Sequence, residues 1–413
     1  MELKDKKIVL GISGGIAAYK TAELVRGWVK AGAEVEVVMT TAAKEFITPL
    51  TIETLINRKV HTHLFPQNEY SATLHIDLAD WADVIVIAPA TANIISKIRL
   101  GQGDDLLSTI CLAGWKKTAI APAMNSNMWS NPAVQENLDV LQKRGYQIIE
   151  PTAGELACGY TGIGRLPDSY IIDFWIQYVL QKQKKLKGKT VLVTAGRTEE
   201  EIDPVRLLTN RSSGRMGFAI AAQAFFHGAK VILIAGPNEL NPLPGIEYHQ
   251  VISAVEMEQA VADNIEDTDI IVASAAVSDY RPKEVLFRKV KKGKGDWSID
   301  LVQNPDILAG IGKLKSRRIV VGFAVETDNE EENARKKLKS KNLDMIVLNN
   351  PEEAGAGFAT RTNKVSILFP KKKTQKIPLM LKSEIAAQII DQIVKLVEKQ
   401  KKSGLRITKK SNS

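Results

Sequence analysis

The sequence predicts an α/β protein built from two doubly wound, mainly parallel sheets. Three observations predict it. Short continuous apolar runs such as "KIVLGIS" and "DVIVIAPA" alternate with longer segments whose apolar residues recur at helical spacing. Strands apolar on both faces belong in a parallel sheet covered by helices on each side. The strand-and-turn pattern then starts again at "KGKTVLVTAG", and 413 residues exceed what one core holds. The expected fold is therefore two Rossmann-like domains, each with its own site.

In the first half, strand "KIVLGIS" leads into helix "GIAAYKTAELVRGWVKAG", then strand "EVEVVMT" and helix "AKEFITPLTIETLIN". Strand "DVIVIAPA", helices around 91–114, strand "KTAIAPAM", helix "AVQENLDVLQKRG" and strand "YQIIE" follow. A last helix around 168–185 runs into lysine-rich "QKQKKLKGK". In the second half, a strand at 190–194 is followed by a polar loop and helix "GRMGFAIAAQAFFHG". Strand "AKVILIAG", helix "AVEMEQAVADNI" and strand "DIIVASAA" come next, then a basic loop. Helix "PDILAGIGKLK", strand "RIVVGFA", helix "EENARKKLKSKN" and strand "DMIVLN" complete the alternation. "KVSILF" reads as one strand of a terminal hairpin and "SEIAAQIIDQIVKLVEKQ" as a closing helix. The domains are set at 1–180 and 190–400, with a basic linker at 181–189 and a basic, disordered tail at 401–413.

Composition excludes several classes. Two cysteines far apart give neither a disulfide framework nor metal-ligand spacing, which suits a reducing cytoplasm. The opening "MELKDKKIVLGISGG" is no signal peptide, and no apolar run is long enough to span a bilayer. The net charge of +9 is concentrated in the linker, the tail and "FRKVKKGKG" at 287–295. No aromatic residues interleave with these runs, so a base-stacking groove is not expected. The cluster at 287–295 suits a polyphosphate better than a duplex.

Several short motifs bear on phosphate and metal. "GISGGIAAYK" sets Gly11, Ser13, Gly14 and Gly15 between a strand and a helix, where backbone N–H groups can approach an anion and Ser13 adds a hydroxyl. It is not G-x-G-x-x-G: one phosphate, as in a flavin mononucleotide, or a plain tight turn both satisfy it. "GKT" at 188–190 is no P-loop, since position 183 is Gln and the residues begin a strand. "GYTGIG" follows no strand, and "HTH" at 61–63 lacks further ligands for a metal.

A more specific set comes from the strand ends. His75 precedes a buried strand that ends in "APATAN" with Thr91 and Asn93, and the next strand delivers Asn125 in "APAMNSNMW". Ligands in doubly wound sheets bind at that edge. Cys158 lies in "GELACGYTGIGR", a stretch without helical or strand period, where it is either a small residue in a loop or a thiol brought to a bound molecule. Cys111 in "LLSTICLAG" reads as a core residue.

These residues resemble the flavin-dependent half of the bifunctional phosphopantothenoylcysteine decarboxylase/phosphopantothenate–cysteine ligase family. The resemblance covers "GISGGIAAYK", "HIDLADWADVIVIAPATANIISKI", "DDLLST", "APAMNSNMW" and "GELACGYTGIGR". It continues in "VTAGRTEEEIDPVRLLTNRSSGRMG", "SAAVSDYRP", "NPDIL", "VVGFAVET" and "ARKKLKSKNLD", which together span nearly the whole chain. Ser278 and Val325 depart from the alanines common in that family. The resemblance implies FMN held by Ser13, Gly14, Gly15, Thr40, Thr91, Ala92 and Asn93. It implies that His75 assists oxidation and decarboxylation, that Asn125 holds the substrate carboxylate, and that Cys158 is the proton donor in the last reduction. For the second half it implies CTP-dependent ligation of 4′-phosphopantothenate with cysteine through an acyl-cytidylate. Asn210 and Lys289 would be catalytic, and Asp279 would meet nucleotide-bound Mg2+. CTP would contact Ser274, Ala275, Asp279, Lys289, Pro305, Asp306, Ile307, Leu308, Phe323, Lys337 and Lys341. The implied partners are small molecules and further copies of the chain, trimer-based in the first domain, with no nucleic acid and no membrane. Competing readings are a non-catalytic flavin-binding regulator, an NAD(P)-dependent reductase and a nucleic-acid binder. The lack of a dinucleotide fingerprint speaks against the reductase.

Overall fold

The computed structural model describes residues 3–65, 73–155, 159, 161–292, 296–326, 328–350, 353, 355, 357 and 360–410, the last eight by backbone alone. The chain divides into two compact units, Met1–Lys182 and Gln183–Ser413.

The first unit holds a parallel sheet in the order β2-β1-β3-β4-β5. Its strands are β1 (Lys7–Ile12), β2 (Glu34–Met39), β3 (Val84–Ala90), β4 (Thr118–Pro122) and β5 (Gln147–Ile148). The helices are α1 (Thr21–Lys30), α2 (Pro49–Ile56), α3 (Leu74–Trp81), α4 (Ala92–Leu100), α5 (Leu106–Ala113), α6 (Ser126–Trp129), α7 (Pro132–Lys143) and α8 (Ser169–Leu180). Alternate residues of β1 feed opposite layers, as the two-residue period of a strand requires. Ile8, Leu10 and Ile12 join Trp28 of α1 and Ile172 and Ile176 of α8. Val9 joins Leu74 and Leu78 of α3, Ile94 of α4 and Leu107 of α5.

Two expectations need correction here. "AKEFITPLTIETLIN" is not one helix: a 3-10 turn at Thr41–Glu45 precedes α2. Pro49 cannot continue a helix, but suits a first helical position, and Thr48 Oγ1 accepts from Thr51 N at 3.3 Å to start a new one. The segment around Cys158 is also not wholly irregular. It is flanked by an antiparallel pair, β6 (Thr152–Glu155) and β7 (Thr161–Arg165). Glycines at 154, 162 and 164 leave no side-chain alternation from which to read those strands.

The second unit holds an eight-stranded sheet in the order β12-β11-β8-β13-β16-β17-β18-β19. Its strands are β8 (Thr190–Ala195), β11 (Lys230–Ala235), β12 (Glu247–Gln250), β13 (Ile270–Ala273), β16 (Ile319–Val325), β17 (Met345–Asn349), β18 (Thr362–Leu368) and β19 (Gln375–Leu381). The parallel strands, renumbered within the unit, run 3-2-1-4-5-6, and β18 and β19 add antiparallel at one edge. Helices α9 (Arg215–Phe226), α10 (Ala254–Asn264), α11 (Ile307–Lys313), α12 (Glu330–Ser340) and α13 (Lys382–Lys410) cover it. Val191, Val193 and Ala195 face α9 and α13, and Leu192 faces α10 and α12.

Two hairpins stand outside this sheet: β9 (Glu199–Asp203) with β10 (Arg206–Thr209), and β14 (Tyr280–Pro282) with β15 (Leu301–Gln303). The first replaces the polar loop expected after β8. The linker expectation also changes, because Leu186 is fully buried in the second core and its N–H donates to His227 O at 2.9 Å. Lys184 donates to Phe226 O, and burial brings its pKa down to about 8. The closing helix runs to Lys410, past the boundary set at 400. Among the described residues no helix is long and apolar enough to cross a membrane.

One device recurs at the entry edge of both sheets. Asp83 accepts from Lys7 N at 3.1 Å, Asp269 from Thr190 N at 2.9 Å, and Asp344 from Val320 N at 2.9 Å. Each aspartate precedes one strand and fixes the backbone amide where a neighbouring strand begins. Asp269 also pairs with Lys189 at 2.6 Å. Burial alone would raise its pKa, but the Lys189 bond and the Thr190 amide hold it below the ordinary value. A depressed carboxylate pKa stabilises the fold above the unfolded pKa, and this contribution is lost as pH falls through the folded one. Asp269→Ala is therefore expected to lose roughly 1–3 kcal/mol at neutral pH. Its deficit should shrink in acid, as urea unfolding across pH would measure; a deficit constant down to the acid limit would contradict the assignment.

Candidate active sites

Each unit opens a cavity at the carboxyl edge of its own parallel sheet. The first encloses about 830 Å³. Gly14 and Gly15 reach it from the end of β1, Thr91 and Ala92 from the end of β3, and Met124, Asn125 and Met128 from beyond β4. Glu155, Gly164 and Arg165 of the hairpin close one side. Gly14 is required by packing, since a Cβ there would meet Ala42 Cβ at 2.4 Å and its carbonyl carbon at 2.8 Å. Asn125 caps α6, its Oδ1 accepting from Asn127 N at 2.8 Å.

Other expected residues stand elsewhere. Ser13 is buried, donates to Pro89 O at 2.7 Å and accepts from Thr91 N at 3.0 Å. Its hydroxyl braces β1 against β3, so that proton is already committed. Thr40 Oγ1 accepts from Ala43 N and caps the 3-10 turn. Asn93 is exposed on α4, outside the cavity lining. His75 lies in the first turn of α3, also off this wall, and its buried Nδ1 meets no partner among the described residues. Cys158 lies outside the described residues. The wall further carries Tyr19, Lys20 and Arg165, which the sequence reading did not single out. Lys20 and Arg165 sit within quoted motifs, so adjacency was the available signal. Cys111 is fully buried, and burial pushes its thiol pKa far up, so it is a core residue.

The second cavity is smaller, about 110 Å³. Ser212, Ser213 and Gly214 lead into α9 along one wall, Ser274 and Ala275 follow β13, and Phe323 comes from β16. Amides at a helix N-terminus at the β8/β13 switch point suit an anion. Asn210 stands beside this cavity, donating to Ala276 O at 2.9 Å. Asn304 ties two expected segments together, donating from Nδ2 to Ser278 O and from its backbone to Asp279 O, both at 2.8 Å. Pro305 and Asp306 follow directly, with Ile307 and Leu308 in α11. Asp306 accepts from Lys341 Nζ at 3.0 Å, and Lys337 pairs with Glu326 at 2.7 Å. Burial would raise the Asp306 pKa, but the Ala309 amide and Lys341 hold it low. Lys341 falls just after the end of α12, and the two lysines pair with different carboxylates. Asp279 and Lys289 are exposed beyond β13, on either side of β14.

Sequence reading missed Arg215, Asn349, Asn363 and Lys382 on this second wall. Burial, and then the charge of Arg215, lower the Lys382 pKa to about 8. Lys382 is one lysine in a lysine-rich region, and only the fold singles it out.

A model of the Flavoprotein family matches residues 1–180, and one for the DNA/pantothenate metabolism flavoprotein C-terminal domain matches residues 186–397. The chain is 44% identical over 397 residues to the coenzyme A biosynthesis bifunctional protein CoaBC of Bacillus subtilis, covering 95% of this chain and 98% of that one. It is 46% identical over 391 residues to the protein of the same name from Vibrio cholerae, covering 94% and 98%. A solved structure of the C-terminal domain of CoaBC is 40% identical with a TM-score of 0.46, over 52% of this chain and 100% of that one.

Gly217 offers a direct test of the second cavity. A Cβ there would lie 2.5 Å from Ala195 Cβ and 2.6 Å from Ser274 Oγ. Alanine ordinarily improves a helix by about 1 kcal/mol over glycine, but overpacking of this kind costs about 1–3 kcal/mol. Gly217→Ala is expected to lower the thermal midpoint of the second unit. A raised midpoint would show that α9 does not press on the strand ends as described.

Proposed function

We propose a division of labour for this chain, which belongs to the family of bifunctional coenzyme A biosynthesis proteins. It is an enzyme with phosphopantothenate–cysteine ligase and phosphopantothenoylcysteine decarboxylase activities. The observation that carries the division is that each unit has its own cavity at the carboxyl edge of its own sheet.

In this reading the first cavity takes FMN. Its volume falls in the roughly 300–1,000 Å³ range of small-molecule sites, and the bare Gly14–Gly15 backbone with the start of α4 suits a phosphate. When bound, the flavin supplies oxidation of the substrate thiol and return of the electrons after the carboxylate has left. Asn125 holds that carboxylate through its amide N–H, with Lys20 and Arg165 as nearby cations. Cys158 donates the final proton. His75 acts in a homo-oligomer, at a cavity to which a neighbouring copy contributes. Its position off this chain's own wall, its orphaned Nδ1, and the exposure of Ile16 (57%) and Tyr19 (59%) support that assembly.

The second unit, in this reading, activates 4′-phosphopantothenate with CTP and releases pyrophosphate. The cysteine amine then displaces CMP from the acyl-cytidylate. Among the described residues no group of three acidic, His or Cys side chains forms a metal cage. Mg2+ would arrive on the nucleotide phosphates with Asp279 as an added carboxylate, the usual mode for this ion. Lys289 neutralises the developing phosphate charge, and Asn210 supports turnover of the acyl-cytidylate. Both activities belong to the cytoplasm, where CTP and cysteine are present.

Lys289→Gln is expected to reduce acyl-cytidylate formation about ten- to a hundredfold, since a charge-assisted contact contributes on the order of 1.5–3 kcal/mol, while decarboxylation stays unchanged. Equal loss of both activities would contradict the division. Cys158→Ser is expected to keep the flavin absorbance but halt before 4′-phosphopantetheine, because serine is a far weaker acid. Normal product from that variant, identified by mass, would remove Cys158 from its role.

A further inference from the structure

The hairpin β9/β10 turns through Asp203, Pro204, Val205 and Arg206. Asp203 is the first residue of a tight turn, where aspartate commonly accepts from the amides two and three residues ahead. Its Oδ1 does so, from Val205 N at 2.8 Å and Arg206 N at 2.9 Å. A turn-capping role would be complete with that oxygen. The second oxygen goes further: Oδ2 accepts from Arg206 Nη1 at 2.7 Å and from Val290 N at 3.3 Å. Val290 is 87 residues away in sequence and adjoins Lys289.

The same short segment is gripped from its other side. Both Arg206 Nη atoms donate to Val290 O at 3.3 Å, and Leu286 N donates to Ile202 O at 3.0 Å. The Arg206 guanidinium in turn lies 5.2 Å from the Trp297 ring centroid, within cation–π range. The Asp203 side chain is 0% exposed, covered by its partners. Lys289, itself exposed, is thus held between two anchored points, Leu286 and Val290.

We propose that Asp203 is a positioning residue for ligation: through Arg206 and the Val290 peptide it fixes the backbone from which Lys289 reaches the nucleotide. The proposal rests on the reading of Lys289 given above. A flexible lysine on an untethered loop would have to be ordered each time the triphosphate binds. A tether made before binding removes part of that entropy cost.

A double-mutant cycle on the full-length protein separates positioning from general stability. Acyl-cytidylate formation is measured at subsaturating CTP for wild type, Asp203→Asn, Lys289→Gln and the double variant. Asp203→Asn is expected to lower the rate about tenfold when Lys289 is present and less than about twofold when it is Gln, within the coupling seen for residues sharing a network. An equal factor in both backgrounds overturns the inference and leaves the reading of Lys289 standing. If Lys289→Gln alone leaves the CTP dependence unchanged, that reading fails and the inference fails with it. Val290→Pro removes the N–H donated to Asp203 while keeping every bond within the hairpin turn. It is expected to reproduce the loss with an unchanged thermal midpoint, and full activity in it overturns the inference even if Asp203→Asn does not fold.

Discussion

Continuous apolar strands that must be covered on both faces set the terms for everything else in this chain. Such strands pair in parallel, need helices above and below, and send every crossover back to the same edge before the next strand starts. The entry edge is then occupied by structural bonds: Asp83, Asp269 and Asp344 each take a backbone amide there. The exit edge is left with loops and helix N-termini, and both cavities open at it. The location of chemistry follows from the sheet before any catalytic side chain is considered.

Within that frame the two cavities solve different problems. The first is large, lined by small residues and methionines together with Tyr19, Lys20, Glu155 and Arg165, and Gly14 allows close approach of Ala42. It suits a planar cofactor that carries the redox chemistry itself. The second is narrow and rich in N–H groups and cations, from the start of α9 to Arg215 and Lys382. It suits phosphates, whose transfer asks for positioning and charge. Among the described residues, Asp279, Lys289, Asp306, Lys337 and Lys341 are not on its wall. Side-chain pairs hold some of the charged residues around it, as Asp306 with Lys341 and Asp203 with Arg206.

Much of the fold was legible because β1, β3, β8 and β13 are unbroken apolar runs, and those runs fix a parallel sheet. What was hidden had one of two causes. Strands β6 and β7 carry glycines where side-chain alternation would be read, and β9 is "EEEID", which looks like solvated loop. Yet Glu200 is buried and accepts from Ala254 N, and Asp203 is buried against its turn and Val290. Burial of an acid depends on partners far away in sequence, so no local pattern reveals it. The Asp203-Pro204 step was the legible signal of that turn. For the sites, Gly14, Gly15, Thr91, Ala92, Asn125, Ser274, Ala275 and Phe323 lie on cavity walls; all but Phe323, which is inside β16, follow strand ends. Ser13, Thr40 and Asn93 lie off them, because a residue's place after a strand does not say which way its side chain turns; His75 lies off them in α3, ahead of β3.

The central claim is that one chain performs two chemistries in sequence at two separate sites, and release of labelled carbon dioxide tests it most directly. The full-length protein would receive cysteine labelled at its carboxyl carbon, with 4′-phosphopantothenate and Mg2+. The account predicts labelled carbon dioxide only when CTP is also supplied. It predicts CTP-independent release when preformed, labelled 4′-phosphopantothenoylcysteine is given instead. Release from cysteine without CTP, or a CTP requirement for the preformed substrate, would contradict it.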